Sequence, residues 1–248
     1  MIRVLALSNQ KGGVAKTTSA INIAAALARA GQRVVLVDLD PQANLTSGLG
    51  LGDAEQNIYG ALLGEYRLKA YATGTENLVV VAGSPGFSGF EQVKGKEPNR
   101  DFLLRDLLAP LHSRCDFIVL DCPPALGLIT INAYACAHEV YIPTEAQLYG
   151  LDGLAKVIDL VERMRQQLNP GLKVGGIFFT RYDKRKVLRR ETAELVRSHY
   201  PDLVLASVIR ESIALSEAPH TGQDIFSYAS SSAGSSDYQE LAMEILSR

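Results

Sequence analysis

The sequence is short of cysteine, has no excess of charge of either sign and contains no long uncharged apolar run, and each shortage removes a class of protein. Cys115, Cys122 and Cys136 are its only cysteines, an odd number with no C-x-x-C pair. Neither a disulfide framework nor a cysteine metal centre is expected, and the thiols should stay reduced. With 25 Lys and Arg against 27 Asp and Glu, the net charge is −2, so any contact with nucleic acid has to come from a local patch. No stretch approaches the roughly eighteen uncharged apolar residues of a membrane-spanning helix. The first residues read as a strand and not as a leader peptide, which points to a cytoplasmic protein. Internal repeats are missing, as is any match to a helix-turn-helix or other base-reading module. What remains is globular: 47% hydrophobic residues in a chain of 248 are enough for a sizeable core without covalent staples.

Apolar runs recur at residues 2–7, 34–37, 78–81, 117–120, 140–142, 174–179 and 203–208. Helical patterns lie between them at 17–29, 102–109, 129–136, 151–167 and 186–199. Continuous apolar strands alternating with helices predict one doubly wound α/β domain over residues 1–248, with a mostly parallel sheet covered on both faces. Residues 83–99 and 227–236, rich in glycine or serine, read as loops.

Residues 10–18, Q-K-G-G-V-A-K-T-T, stand between the first apolar run and the first helical pattern. A strand feeding a glycine turn and a helix N-terminus makes an anion site, because free backbone N–H groups and the positive end of the helix dipole converge there. Gly12 and Gly13 let the backbone approach phosphate oxygens, Lys16 brings a point charge to the β- and γ-phosphates, and the Thr17 hydroxyl suits Mg²⁺. The plain alternative is a turn that binds nothing, and two acidic sites downstream speak against it. V-V-L-V-D-L-D-P-Q ends in Asp38 and Asp40, which strand alternation places on the same side, beyond the carboxyl end where open α/β sheets bind ligands. A D-P pair can equally cap a turn. F-I-V-L-D-C-P-P places Asp121 after four apolar residues.

The strict phosphate-loop pattern G-x-x-x-x-G-K-[ST] is not met, since Gln10 and Ala15 occupy its glycine positions. The pattern that is met, K-G-G-x-x-K-[ST] with a second lysine at Lys11, is followed by D-x-D-P-Q and by the apolar run into Asp121. In that order the three resemble the deviant Walker A ATPases of the ParA/MinD family. The resemblance implies an ATPase using ATP and Mg²⁺, with Lys11, Gly12, Gly13, Val14, Ala15, Lys16, Thr17 and Thr18 around the phosphates. It implies that Lys11 crosses a dimer interface to the nucleotide of the other subunit, and that Asp40 orients the attacking water, acting with Lys11 and Lys16. Thr17, Asp40 and Asp121 are the implied magnesium residues, Asp121 as a Walker B carboxylate, and Asp38 supports the lysine and magnesium network. Thr180, Arg181, Ile209 and Arg210 follow strands and are candidates for the adenine pocket.

The chain also departs from the family. Glu217-Ala218-Pro219 is present, but Arg210-Glu211 stands where members often have Pro-Arg, and Ala214 aligns with an arginine common in chromosome-type members. Ala15 replaces the glycine of most relatives; its methyl costs little only if the residue has ordinary helical-side dihedrals, and tolerance is expected because the K-G-G-x-x-K pattern leaves this position open.

Arg181, Lys184, Arg185, Lys186, Arg189 and Arg190 form a dense positive cluster interrupted by Asp183. At about 100° per residue Lys186, Arg190 and Arg197 make one stripe, with Leu188, Leu195 and Val196 opposite. On an isolated helix such a stripe is usually a solvated face. A nucleotide-driven dimer would double it, making Lys184, Arg185, Lys186, Arg189, Arg190 and Arg197 candidates for sequence-independent DNA binding. The C-terminal stripe of Tyr238, Leu241, Ala242, Ile245 and Leu246 carries Asp237, Glu240 and Glu244 on its polar face, the wrong charge for a membrane surface. No membrane contact is expected, which favours the ParA branch over MinD. That branch implies a nucleoid-associated DNA-partition ATPase, an ATP-dependent homodimer on non-specific DNA stimulated by a ParB-like centromere-binding protein. Positioning of a protein cargo on the nucleoid, or a MinD-like division-site role, are the alternatives.

Overall fold

The computed structural model describes residues 2–147 and 150–248. Its strands are β1 (Arg3–Leu7), β2 (Val34–Asp38), β3 (Tyr71–Ala72), β4 (Leu78–Val81), β5 (Phe117–Asp121), β6 (Glu139–Glu145), β7 (Lys173–Tyr182) and β8 (Val204–Arg210). They form one sheet in the order β3-β4-β2-β5-β1-β6-β7-β8, parallel throughout except for β3 against β4. The helices are α1 (Lys16–Arg29), α2 (Asn44–Gly48), α3 (Ile58–Leu63), α4 (Phe90–Lys94), α5 (Leu103–Leu108), α6 (Leu128–Cys136), α7 (Gly150–Gln167), α8 (Val187–His199), α9 (Ile213–Glu217), α10 (Ile225–Tyr228) and α11 (Ala233–Ser247).

Period-two alternation explains why the strands read as unbroken apolar runs. Leu5, Leu7, Val34, Leu36, Phe117 and Val119 enter a core shared with α1, α10 and α11. Val4, Ala6, Val35, Val37, Ile118 and Leu120 enter the other, shared with α5, α6, α7 and α8. Both faces are therefore covered. Alanines at positions 20, 24, 25, 26 and 28 are buried on α1, and their small side chains let that helix sit close to the sheet. Tyr238, Leu241, Ala242 and Ile245 of α11 are fully buried, and the Tyr238 hydroxyl meets Ser19 Oγ of α1 at 2.9 Å.

All seven apolar runs are strands, and five of them extend at the carboxyl end into a polar or charged residue: Asp38, Asp121, Glu145, Tyr182 and Arg210. The edge strand β3 was not anticipated, because two residues carry no alternation to read. Residues 83–99 are not a plain loop. They hold a 3-10 turn, Pro85–Gly89, and α4, fixed by Phe87 and Phe90 packing edge-on against Tyr59 at centroid distances of 5.6 and 6.3 Å. Residues 227–236 likewise contain the end of α10 and the start of α11, where Ser232 accepts from the Ser235 amide as an N-cap. Asp237 also differs from expectation: it is buried and forks with Arg210. The three cysteines are free, and among the described residues no helix is long and apolar enough to cross a membrane.

Candidate active site

β1 lies between β5 and β6; the chain leaves it toward β2 on one side and later crosses it from β5 to β6 on the other, so its carboxyl end opens onto the crevice where doubly wound sheets bind ligands. Register brings the key positions level there, Leu7 beside Asp121 and Asp121 beside Asp38. The loop that leaves β1 is anchored before it turns. Tyr134 donates its hydroxyl to Ser8 Oγ at 2.7 Å. Asn9 Nδ2 donates to the Pro143 carbonyl at 2.8 Å, while Asn9 Oδ1 accepts from the Lys11 amide at 3.0 Å. Gly13 then takes φ 78°, and α1 begins at Lys16, whose ammonium folds back to the Lys11 carbonyl at 3.2 Å. A Cβ placed on Gly12 or Gly13 would meet no atom within 4 Å. The loop is an open concavity closed on one side by a lysine.

Ala15 does not have the helical-side dihedrals under which its methyl would cost little. It is the N-cap of α1 in the left-handed region, φ 62° and ψ 34°, where an L-residue with a Cβ is strained by about 1–2 kcal/mol. Ala15→Gly relieves that strain but loosens the unfolded chain by up to about 1 kcal/mol. The expected net result is a stabilisation of roughly 0.5–1 kcal/mol, read as a higher urea midpoint at unchanged slope.

The carboxylates around Lys16 divide the work. Asp38 is fully engaged by the protein: Oδ2 accepts from the Thr46 amide at 2.9 Å and hydroxyl at 2.7 Å, and Oδ1 from the Asp40 amide at 3.2 Å. Burial raises its pKa. Its place is behind Asp40, whose amide it holds. Asp40 Oδ1 accepts from the Gln42 amide at 3.0 Å, so the turn-capping alternative holds for that oxygen; Oδ2 makes no hydrogen bond among the described residues. Asp121 is 1% exposed and neither of its oxygens has a hydrogen-bond partner. Burial, and then the Asp38 charge, push its pKa well up, only partly offset by the nearby Thr17 hydroxyl, which is not in hydrogen-bond geometry, and by the Lys16 ammonium. Lys16 is shifted the other way by desolvation, opposed by the charges of Asp121 and Asp40.

An unpartnered buried carboxylate is costly unless something cationic completes it. Among the described residues no three His, Cys, Asp or Glu side chains converge on one ion. Magnesium fits that sparse donor set, because it takes one or two carboxylates and fills its octahedron with water and phosphate oxygens.

A cavity of about 370 Å³ opens beside the loop, lined by Ala15, Thr18, Thr180, Arg181, Ile209 and Arg210 among others. The four residues proposed for adenine thus share one space with the phosphate loop. Thr180 Oγ1 donates to the Val14 carbonyl at 3.1 Å, joining the two. Arg210 faces the cavity with its guanidinium forked onto Asp237, at 2.6 Å from Nη2 to Oδ1.

The basic cluster is rearranged relative to the helical projection. Thr192, Ala193 and Val196 form the buried side of α8, whereas Leu188 and Leu195 are 56% and 40% exposed. Arg189 stands at the i−3 and i−4 positions of that inward stripe and has a buried, unpartnered Nη1. Arg197 lies over the Phe179 ring at 5.3 Å. Arg185 is forked onto Asp183 at 2.9 and 3.0 Å. The cations most open to solvent without such a fork are Lys184, Lys186 and Arg190, with Lys186 3.9 Å from Glu211.

Sequence reasoning missed Asn9, Thr46 and Gly83. A Cβ on Gly83 would lie 2.6 Å from Asp38 Cγ, and the Gly83 amide donates to Thr46 Oγ1 at 2.7 Å. The Gly83–Thr46 and Asn9–Pro143 bonds join residues 37 and 134 positions apart, and no local pattern announces them.

Comparison with known proteins follows the same lines. A family model described as an AAA domain matches residues 2–174. The chromosome-partitioning ATPase Soj of Treponema pallidum is 41% identical over 250 residues, covering 100% of this chain and 98% of its own. The chromosome partitioning protein ParA of Caulobacter vibrioides is 40% identical over 253 residues, covering 100% and 95%. Among solved structures, cobyrinic acid a,c-diamide synthase of Mycobacterium smegmatis with bound ADP and magnesium superposes with a TM-score of 0.87 at 33% identity, covering 99% of this chain and 94% of the other.

Proposed function

This chain belongs to the ParA/Soj family of chromosome-partitioning ATPases, and from that premise we propose that two copies close over two ATP molecules, bind DNA without reading its sequence, and let go when hydrolysis is stimulated. The observation that carries the site assignment is the Asp121 carboxylate, buried and unpartnered beside Lys16 at the mouth of the glycine loop.

Water attacks the γ-phosphorus as the bond to the bridging oxygen of ADP breaks, and the protein contributes position and charge. The amides of residues 12–17 and the Lys16 ammonium take up charge that grows on the phosphate oxygens in the transition state. Asp40 presents Oδ2 to the water, since Oδ1 is held by Gln42 and the backbone behind it by Asp38. Thr17 and Asp121, with Asp40, would hold magnesium, which when bound would offset negative charge on the phosphates. Thr180, Arg181, Ile209 and Arg210 surround the base. Lys11 reaches the triphosphate of the twin, which gives ATP a higher affinity for the dimer than for the monomer; without such a difference nucleotide could not shift the equilibrium.

On DNA, Lys184, Lys186 and Arg190 from each protomer together neutralise about six phosphates, so the plot of log affinity against log salt should have a slope near −5. The test is ATP turnover and DNA binding measured together over a salt series, with and without a ParB-like centromere-binding protein. Expected results are slow turnover alone, acceleration by the partner and release from DNA. A flat salt dependence would remove these cations from the DNA contact, and a partner without effect on turnover would remove the release step.

A further inference from the structure

Within its own chain, the Lys11 ammonium is already engaged. Its ammonium lies over the end of β6, donating to Gln147 Oε1 at 2.9 Å and standing 3.9 Å from Glu145 Oε2. Glu145, with a side chain only 9% exposed, is shared: its other oxygen is 3.3 Å from Arg181 Nη1, at the adenine cavity. The backbone at Lys11 is tied to the same strand, because Asn9 bridges the Lys11 amide to the Pro143 carbonyl. Both ends of the Lys11 side chain are therefore referred to β6, and holding the ammonium there costs little additional ordering.

We propose that Glu145 and Gln147 form a latch in cis that keeps Lys11 from the partner subunit until ATP-driven closure draws it away. This rests on the crossing role given to Lys11 above. One ammonium cannot donate to Gln147 and lie in the twin's triphosphate pocket at once, so the latch weighs on the monomer side of the equilibrium. The pair is partly exposed and correspondingly weak, on the order of threefold to fivefold per protomer. Two latches open for each dimer formed, so together they hold the dimerisation constant down by roughly ten- to twenty-fivefold. That strength suits a switch: it lowers dimer formation in the absence of nucleotide yet yields to the charge of a triphosphate. Glu145 also touches Arg181, so the carboxylate that holds Lys11 belongs to the same electrostatic group as the base-binding end of the cavity.

The test uses the full chain with Glu145→Gln, which keeps the side chain's shape, and Gln147→Leu, which removes the acceptor in a half-buried turn. Acylation of Lys11 by a soluble amine reagent, followed by peptide mass spectrometry on the nucleotide-free protein, reads the latch directly. Sedimentation with a nonhydrolysable ATP analogue and Mg²⁺ reads its consequence. Either variant should acylate at Lys11 several-fold faster and dimerise at several-fold lower protein concentration, and the second effect should vanish in a Lys11→Ala background. Unchanged acylation in both variants overturns the latch, and faster acylation with unchanged dimerisation overturns its regulatory role. If Lys11→Ala alone dimerises like the parent, it is the crossing of Lys11 that fails, a result distinct from either of these.

Discussion

Asp40→Ala should reduce ATP turnover on the order of a thousandfold while leaving Mg·ATP bound within a few-fold of the parent. A group that positions and polarises the attacking water typically contributes about 10²- to 10⁴-fold. Asp40 meets the geometric requirement, with one oxygen tied to the Gln42 amide and the other unbonded among the described residues, just past the end of β2, which β5 separates from the strand that carries the loop. Binding should survive, because the phosphates are met by the loop amides and Lys16. Removing one of the two carboxylates whose charges act on Lys16 also lowers the repulsion felt by an incoming triphosphate. Single-turnover phosphate release and equilibrium nucleotide binding separate the two quantities. The variant should persist on DNA as an ATP-bound dimer, since the step that dissolves the dimer is blocked. Turnover at the parental rate would place the water-positioning group elsewhere.

The positions of the chemistry were legible because they depend on short-range order. Strands of the central sheet are apolar on both faces, and the first polar residue after each run marks its carboxyl end; Asp38 and Asp121 were found that way. What lies between elements was not legible. Asp38 was expected to support the lysine and magnesium network, but its bonds to Thr46, eight residues on, and to the Asp40 amide carry no signature in the sequence. The inner face of α8 is turned so that Thr192 and Ala193 are buried and two leucines are not. Hydrophobicity alone selects the leucines, but the sheet edge beneath α8 decides which residues fit. Ala15 failed for a different reason: a sequence shows which residue is present and not the dihedrals the chain imposes on it. The acidic residues of α11 show the same limit. Glu244 accepts from the Ala206 and Ser207 amides at 2.9 Å each, and Asp237 from Arg210. Both carboxylates cap the edge strand β8, so a face that reads as solvated is partly used to protect an open sheet edge.

Lys16→Ala should abolish nucleotide binding, with affinity reduced about a thousandfold or more. Hydrogen bonds to charged groups contribute roughly 1.5–3 kcal/mol each, and losing two of them is a change of that order in the dissociation constant. The larger part is electrostatic context. Lys16 is 7% exposed, its ammonium held at the Lys11 carbonyl, with the charges of Asp121 and Asp40 acting on it. Without that ammonium, a polyanionic ligand would approach a loop backed by Asp38, Asp40 and Asp121 with no fixed cation of the same chain between them. The fold should survive, because α1 is held by its buried alanines and by Tyr238. Circular dichroism and the thermal midpoint check the fold, and calorimetric titration with ATP and Mg²⁺ checks binding. Near-parental affinity in a folded variant would mean that the triphosphate does not lie in the glycine loop. Asp40 would then have no phosphate to act on, and the closure of two protomers over that loop would lose its driving force.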